Sequence, residues 1–226
     1  MKYRIYTVFA MLFMVINSYG QYDWTPAKIH LESGETLTGE VRLSKQGIPS
    51  IIPAKDRAFY RKTEDAKIQK LYPSKIDRIV FTITFEVEED GEKISKTRKA
   101  IYISTYLKKR KKRKRFVELI MDGKVKFIGR TVRISGSSGV TPIFSHQGIA
   151  HMHYNYFGSF VHNELYVWRN DELPKDLMQG SGFSSFKTRA SKYFKDCESL
   201  IKKIKDKTYK SENLLEIVKH YNENCN

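Results

Sequence analysis

The sequence predicts an α+β fold, with an antiparallel, barrel- or sandwich-like β-rich body followed by a C-terminal two-helix hairpin. From Trp24 to about Trp168, short runs of β-branched and aromatic residues alternate with turn-forming residues, as in successive hairpins. From residue 184 onwards, apolar residues recur at steps of three and four, which is typical of amphipathic helices. The chain is 40% hydrophobic and 13% aromatic, a composition that favours a globular protein.

The first twenty residues have the layout of a cleaved secretory signal. Lys2 and Arg4 precede an apolar run over 5–16, and Ser18 and Gly20 place small residues before a cut at Gln21. About twelve apolar residues are too few to cross a hydrocarbon core of roughly 30 Å. We therefore expect an exported mature chain without a transmembrane span, located in the periplasm, at the outer membrane or outside the cell. The alternatives are an uncleaved anchor and a buried hydrophobic strand.

The β-rich body is predicted to contain a series of strands joined by tight turns. In the strand 76–88, Ile79, Phe81 and Ile83 share one face with Phe85 and Val87, so one face is expected to be buried. The segment 135–150 is rich in Gly and Ser and is predicted to be a loop. The other predicted strands are 28–31, 37–43, 100–107, 116–121, 125–134, 154–160 and 165–168.

Two helices are predicted in the C-terminal tail. The first starts after an N-cap at Ser184 or Ser185 and runs to Ile204, and the second starts after Ser211. The short connection predicts antiparallel packing, and Gly180-Ser181-Gly182 is predicted to be a hinge, with an anion cradle at the helix start as the alternative. The predicted organisation is 1–20 signal peptide, 21–170 β-rich domain, 171–183 linker and 184–226 helical hairpin packed on the body.

Cys197 and Cys225 are the two cysteines of the chain. An even number of cysteines in an exported protein favours a disulfide. A hairpin that folds back near residue 209 places Cys197 level with residue 221 and close to Cys225, so we predict that the two are bonded. Two cysteines with only His220 nearby make a poor metal-binding set.

The C-terminal sequence resembles a known group of proteins. Its pattern is Tyr193-Phe194-x-Asp196-Cys197-x-x-Leu200-x-x-x-Ile204, followed by Tyr221-Asn222-x-x-Cys225. This pattern, and the segment Phe116-x-x-Leu119-x-x-Asp122-Gly123-Lys124 before it, is similar to exported proteins of Bacteroidetes that have no assigned activity. The resemblance implies export, a β-rich body and a Cys–Cys clasp, and it implies no activity.

The positive charge of the chain is concentrated in one segment. The net charge is +16, and removal of the signal with Lys2 and Arg4 leaves 39 basic against 25 acidic residues. Eight of these charges are consecutive and form the basic run: Lys108, Lys109, Arg110, Lys111, Lys112, Arg113, Lys114 and Arg115. In an exported protein we expect this run to bind an anionic envelope surface or an envelope protein. The alternative is a solvated hairpin tip that discourages edge-to-edge sheet pairing. No aromatic residue interrupts the run, which argues against nucleic-acid binding.

Four histidines form the second candidate site. His151 and His153 are two residues apart, so on a strand they share a face, as metal-ligand pairs do, and His162 or His146 would supply a third ligand. The alternative is a structural role in a packed aromatic strand pair. We predict no catalytic residues and no cofactor elsewhere. The leading interpretation is a non-enzymatic exported envelope protein, and the alternative is a metal-dependent or hydrolytic enzyme using the His151/His153 region.

We predict that the mature chain begins at Gln21, because Ser18 and Gly20 supply the small side chains that precede a signal-peptidase cut. N-terminal mass spectrometry of the protein exported by its native host should show loss of residues 1–20. A Gly20→Leu variant, with a large side chain at the cut, should accumulate uncut. Recovery of wild-type protein that begins at Met1 would contradict the prediction.

Overall fold

The computed structural model shows an α+β fold, which confirms the predicted fold class. It describes residues 24–44, 56–89, 92–107, 113–135, 140–144, 150–154, 159–169, 172–178 and 184–225, and over 132–162 it describes the strand backbone alone. The predicted signal cleavage site and the loop around His146 lie outside the described residues. None of the described helices has the length and apolar character needed to cross a membrane.

Eleven strands and three α-helices are described. Nine of the strands form one antiparallel sheet in the order β11-β8-β7-β6-β5-β1-β2-β3-β4, and β9 and β10 form a separate pair. The strands are β1 (Thr25–Leu31), β2 (Thr36–Leu43), β3 (Ala58–Arg61), β4 (Gln69–Leu71), β5 (Ile76–Glu89), β6 (Glu92–Thr105), β7 (Arg115–Met121), β8 (Lys126–Ser135), β9 (Val140–Phe144), β10 (Ala150–Tyr154) and β11 (Ser159–Trp168). The helices are α1 (Phe186–Tyr193), α2 (Glu198–Lys205) and α3 (Leu214–Asn224).

Strand predictions differ from the structure in three places. In place of the strands predicted over 154–160 and 165–168, β10 ends at Tyr154 and β11 is continuous over Ser159–Trp168. The strand predicted over 100–107 begins earlier, at Glu92. Residues 92–99 are mostly charged, but all of them pair with β5, and this pairing extends the strand. The segment predicted to be a loop, 135–150, contains β9, which pairs with β10. Turn-type residues outnumber β-formers in that segment, so its composition predicted a loop. The strand forms because β10 pairs with it, and composition does not report a partner strand.

One face of the large sheet carries both apolar cores. Residues directly opposite each other on neighbouring strands share a face, and one such row runs across six strands: Ile29, Ile79, Tyr102, Glu118, Gly129 and Leu165. At the β8–β11 end, Phe127 and Val167 pack against the helices. At the other end Ile29, Val41 and Phe81 are fully or almost fully buried in a cluster to which no described helix contributes. All buried residues of that cluster belong to strands.

The single helix predicted over 186–204 is divided into α1 and α2. Ser185 caps α1, since its hydroxyl accepts a hydrogen bond from the Thr188 amide, as predicted. The helix then stops at Phe194, and α2 begins after Cys197. Ser211 does not cap α3 directly, because a 3₁₀ turn, Ser211–Asn213, precedes that helix.

The helices are attached to the sheet at the turn between β7 and β8. The Asn222 side chain accepts a hydrogen bond from the Val125 amide and donates one to the Val125 carbonyl, both at 2.9 Å. Lys124 Nζ donates to the Cys225 carbonyl at 2.6 Å. Gly123 has a φ of +156°, and a Cβ at that position would lie 2.4 Å from Asn222 Nδ2. The turn therefore needs glycine both for its backbone and for the approach of α3.

The predicted disulfide is confirmed. Cys197 and Cys225 are bonded, with their Cα atoms 5.5 Å apart. Both residues belong to the cluster of helix and strand side chains between the sheet and the helices. The bond therefore joins the start of α2 to the end of α3 within the helix–sheet core.

We predict that a Cys197→Ala/Cys225→Ala double variant is less stable than the oxidised protein by about 3–4 kcal/mol. The bond closes a loop with a sequence separation of 28, and in the chain-entropy model a loop of this size stabilises by about that amount. Urea unfolding at matched pH measures the difference. Two thiols that react with an alkylating reagent in the native, non-reduced protein would contradict the bond itself.

Candidate anion-binding site

The end of the basic run is anchored to two other parts of the fold. Lys114 Nζ lies 2.6 Å from Glu32 Oε1 in the β1–β2 turn, and Arg115 Nη1 lies 2.6 Å from Asp56 Oδ1 before β3. Residues 108–112 of the run lie outside the described residues. The structure therefore places the last three residues of the run, and the third of them, Arg115, is the first residue of β7.

Asp56 is a buried carboxylate, and both of its oxygens have protein partners. It is 6% exposed, and its second oxygen accepts a hydrogen bond of 3.2 Å from the Phe116 amide. A buried carboxylate needs a charged partner and hydrogen bonds to offset the loss of solvation. Arg115 and the Phe116 amide supply these, so Asp56 fixes the direction in which the basic run meets the sheet.

A cavity of about 260 Å³ lies at this junction, and we call it the basic cavity. Its lining contains three cationic residues and one carboxylate, that of Asp56. Two tyrosines and a short polar segment complete the lining. The residues are Asp56, Tyr72, Pro73, Ser74, Tyr106, Arg113, Lys114 and Arg115.

The position of the Tyr72 wall follows from the sequence around it. Pro73 starts a 3₁₀ turn, Pro73–Lys75, which holds Tyr72 in an extended conformation. The Ser104 hydroxyl donates a hydrogen bond to the Pro73 carbonyl, which ties the turn to β6. Tyr72 is one of the exposed large hydrophobic residues, and the Arg57 guanidinium lies 6.0 Å from its ring centroid. Such a ring can pack against the apolar part of a ligand whose anionic group meets the cations.

Three of the four histidines of the second candidate site lie in the β9–β10 and β8–β11 pairs, and His146 lies outside the described residues. His151 is opposite Ile143 and His153 is opposite Thr141, and His162 is opposite Val132. These positions are described as backbone only. The metal-site hypothesis for His151, His153 and His162 therefore stays a prediction.

A different group of potential ligands lies at the disulfide. Among the residues that the structure describes, Cys197, His220 and Cys225 have ligand atoms within 4.8 Å of one another. The sulfur atoms are bonded to each other, so neither offers the thiolate that zinc binds. Ser199 Oγ is 3.2 Å from His220 Nε2, but Lys203 Nζ lies 3.4 Å from the other ring nitrogen. Burial and the Lys203 charge lower the pKa of His220, which makes it a weak general base.

A cationic network holds the end of β11 to the helices. Arg169 donates two hydrogen bonds to Asp196, at 2.9 and 3.1 Å, and its guanidinium lies 5.1 Å from the ring centroids of both Tyr193 and Tyr221. The Tyr221 hydroxyl donates to Asp196 at 2.7 Å. Hydrogen bonds from Arg169, with one from Tyr221, lower the pKa of Asp196 to about 2. Burial raises the pKa of Tyr193 to about 12.

Sequence reasoning found the cationic half of the basic cavity and missed the other half. Asp56, Tyr72 and Ser74 are far from the run in the chain, Tyr106 lies two residues before it, and nothing in their local pattern marks any of the four as part of a site. The one local signal is the Tyr72-Pro73 pair, which predicts an extended residue before a turn. It does not show which surface the tyrosine meets.

Comparisons with models of protein families, with curated proteins and with solved structures find no match to this chain.

We predict that Asp196→Asn lowers the free energy of unfolding at neutral pH by about 1 kcal/mol. The full pKa shift would give more, but 38% of the Asp196 side chain is exposed, and solvent screening reduces the contribution. Because the pKa of Asp196 is lowered on folding, the contribution is present above the ordinary pKa of 3.8 and is lost as the pH falls towards about 2. Urea unfolding at pH 2, 3, 4 and 6 should show the difference between variant and wild type shrinking over that window.

The matched control is Glu64→Gln, which removes a carboxylate from an exposed turn. It should change the free energy of unfolding by less than about 0.5 kcal/mol. A difference between Asp196→Asn and wild type that is constant from pH 2 to pH 6 would show that the Arg169 pair does not stabilise the fold electrostatically.

Proposed function

We propose that this protein is exported to the cell envelope and that its basic run binds anionic groups there, without catalysing a reaction. The observation that carries the proposal is the placement of Arg113, Lys114 and Arg115 around the basic cavity beside two tyrosines. Such a lining offers charge to an anionic group and an aromatic wall to the apolar part of the same molecule.

Cations outnumber carboxylates in the described lining of the cavity. Asp56 is the one carboxylate in that lining, and Glu32 pairs with Lys114 from outside it. The run adds five further cationic residues, 108–112, in the sequence next to this lining. A surface with this balance attracts anions, and lipid headgroups carry a suitable charge.

The anchoring of the run favours binding over a purely repulsive role. A solvated tip that only prevents strand pairing needs charge and no fixed geometry. Here Lys114 and Arg115 are held by Glu32 and Asp56, which come from two separate parts of the chain. Holding cationic side chains in place before a ligand arrives lowers the entropy cost of binding.

We predict that replacing Lys108, Lys109, Lys111 and Lys112 by Gln weakens binding to phosphatidylglycerol vesicles by at least about tenfold, since each cation near an anionic surface contributes about 1 kcal/mol. Lys114 and Arg115 are left unchanged, so the anchors to Glu32 and Asp56 are retained. Co-sedimentation at low and physiological salt measures the affinity, and wild-type binding should weaken with salt.

The control variant removes the same charge from exposed helix and turn positions: Lys195, Lys202, Lys205 and Lys210, each replaced by Gln. It should keep the wild-type affinity within about threefold, because the attraction is local to the run. Equal losses in both variants would attribute binding to net charge alone. Absence of wild-type binding at low salt would overturn the proposal.

A further inference from the structure

The outer face of the sheet at its β2–β4 end carries arginines interleaved with aromatic rings. Val41, Ala58 and Tyr60 are buried on the inner face, and successive side chains of a strand point to opposite faces. The residues between and beside them therefore lie on the outer face, and all of these are at least partly exposed. With the two rings that they contact, they form the arginine–aromatic face: Trp24, Arg42, Arg57, Phe59, Arg61 and Tyr72.

Two guanidinium groups of this face share one ring, that of Trp24. The guanidinium carbon of Arg61 is 4.4 Å from the Trp24 ring centroid, and that of Arg42 is 4.9 Å from it. The Arg42 guanidinium also lies 5.4 Å from the centroid of Phe59. A guanidinium over a ring can still bind an oxyanion through the N–H groups of its edge, two at a time.

One of the three arginines forms an ion pair within the part of the chain that the structure describes. Arg61 donates to Glu40 at 2.6 Å and to the Glu64 carbonyl at 3.0 Å. Arg42 forms no side-chain hydrogen bond or ion pair with a described residue, and its contacts are the two rings. The Nε of Arg57 is buried without a hydrogen-bond partner there. The face therefore carries guanidinium donors that the described residues do not satisfy.

The charges around these arginines favour an anionic ligand. Glu40 is the one carboxylate in strands β1 to β4, and it is already paired with Arg61. Lys70 of β4 lies opposite Phe59 and adds a cation. The turn after β3 carries two lysines and two carboxylates, which leave this balance unchanged: Lys62, Glu64, Asp65 and Lys67.

The rings of the face are less available to a ligand than the guanidinium edges. Trp24 and Phe59 are each only partly exposed, and a guanidinium lies over both rings. Nucleic-acid bases stack on free aromatic faces, and aromatic side chains that enter a membrane interface insert their rings. The arrangement therefore favours a ligand that presents anionic groups over one that stacks or inserts.

The spacing of the cations favours a polymer. Arg57 and Arg61 are each one diagonal step from Arg42 on the neighbouring strand, a separation of about 7–8 Å. Tyr72, which lies 6.0 Å from the Arg57 guanidinium, also lines the basic cavity. A chain with repeated anionic groups can contact several of these cations at once, and each further contact gains from effective concentration.

Hydrogen-bonding chemistry separates two kinds of anionic polymer. Guanidinium and ammonium groups donate hydrogen bonds and accept none. An acidic peptide brings amide donors to this face, whereas a polysaccharide brings carboxylates and hydroxyl oxygens, which accept. We propose that the arginine–aromatic face binds a linear anionic polysaccharide through its carboxylate groups. The inference rests on the proposed function for the export that brings the chain to such polymers, and it assigns a site apart from the basic run.

The test uses the whole mature protein with Trp168→Phe, so that Trp24 is the one remaining tryptophan. The probe is polygalacturonate, and the neutral polysaccharide dextran is its control. Polygalacturonate should shift the Trp24 emission in a saturable way, because an anion that binds Arg42 and Arg61 changes the charge over the ring. The affinity should weaken with salt, and dextran should leave the emission unchanged. Absence of a Trp24 response to polygalacturonate at low salt would overturn the proposal.

A charge-preserving variant tests the role of the guanidinium groups. Arg42→Lys/Arg57→Lys keeps both charges and removes the planar groups that bind carboxylates in pairs, so polygalacturonate should bind at least about tenfold more weakly. The matched control is Arg78→Lys/Arg98→Lys, which changes two arginines that pair with carboxylates elsewhere in the sheet. It should keep the wild-type affinity within about threefold, because its net charge is the same and the face is intact. Equal affinities of the two variants would refute the assignment to this face.

Three comparisons identify the occupant and separate this proposal from that for the basic run. The quadruple Gln variant of the basic run, with Trp168→Phe, should keep the Trp24 response, and loss of the response would place the polymer on the run and overturn the inference. Polyglutamate of equal charge should bind more weakly than polygalacturonate. Equal or tighter binding of polyglutamate would identify an acidic protein as the occupant, and a Trp24 shift with phosphatidylglycerol vesicles would identify the lipid surface. Either result would overturn the polysaccharide assignment, whereas vesicle binding through the basic run without a Trp24 shift leaves both proposals standing.

Discussion

Burial of one face of a single nine-stranded sheet is the constraint on which the rest of this structure depends. The face that carries the two apolar clusters must be covered, and the two clusters differ in the elements that form them. Around Ile29 and Phe81 all buried residues of the cluster belong to strands. Around Phe127 and Val167 the sheet is covered by three short helices. The basic cavity lies where β7 begins.

The short pairing between β6 and β7 lies between the two apolar clusters. Tyr102 belongs to the cluster whose buried residues are all in strands, and Phe127, two strands further along the sheet, belongs to the helix-covered one. Between them β6 keeps its pairing with β5 while β7 keeps its pairing with β8. The two strands pair with each other only from Tyr102, opposite Glu118, to Thr105, opposite Arg115.

The helical cover is held by bonds that are distant in sequence. The break between α1 and α2 brings Asp196 to Arg169 and Tyr221, and it brings Cys197 to Cys225. An unbroken helix would fix the direction of all these side chains by its 3.6-residue period. The interruption costs a few helical hydrogen bonds, and the charge-assisted bonds, aromatic contacts and disulfide formed there offset that loss.

The sequence by itself determined the class of fold and most of its elements. Alternation predicted β5, glycine turns predicted the β1–β2 and β7–β8 hairpins, and Ser185 predicted the start of α1, because these signals act over a few residues. It also predicted the disulfide, because two cysteines in a short helical tail allow one pairing. The export signal remains a prediction from sequence.

Only the tertiary structure decided which residues from distant parts of the chain contact each other. The pairing of Asp56 with Arg115 joins residues 59 apart, and neither residue's neighbours show it. The break at Phe194 is equally invisible, since the apolar period continues through it. The same holds for the short β6–β7 pairing, because the sequence of each strand alone does not show where the pairing ends. Local patterns report which face of an element is buried, whereas ion pairs, helix breaks and strand divergence depend on partners that chain folding brings together.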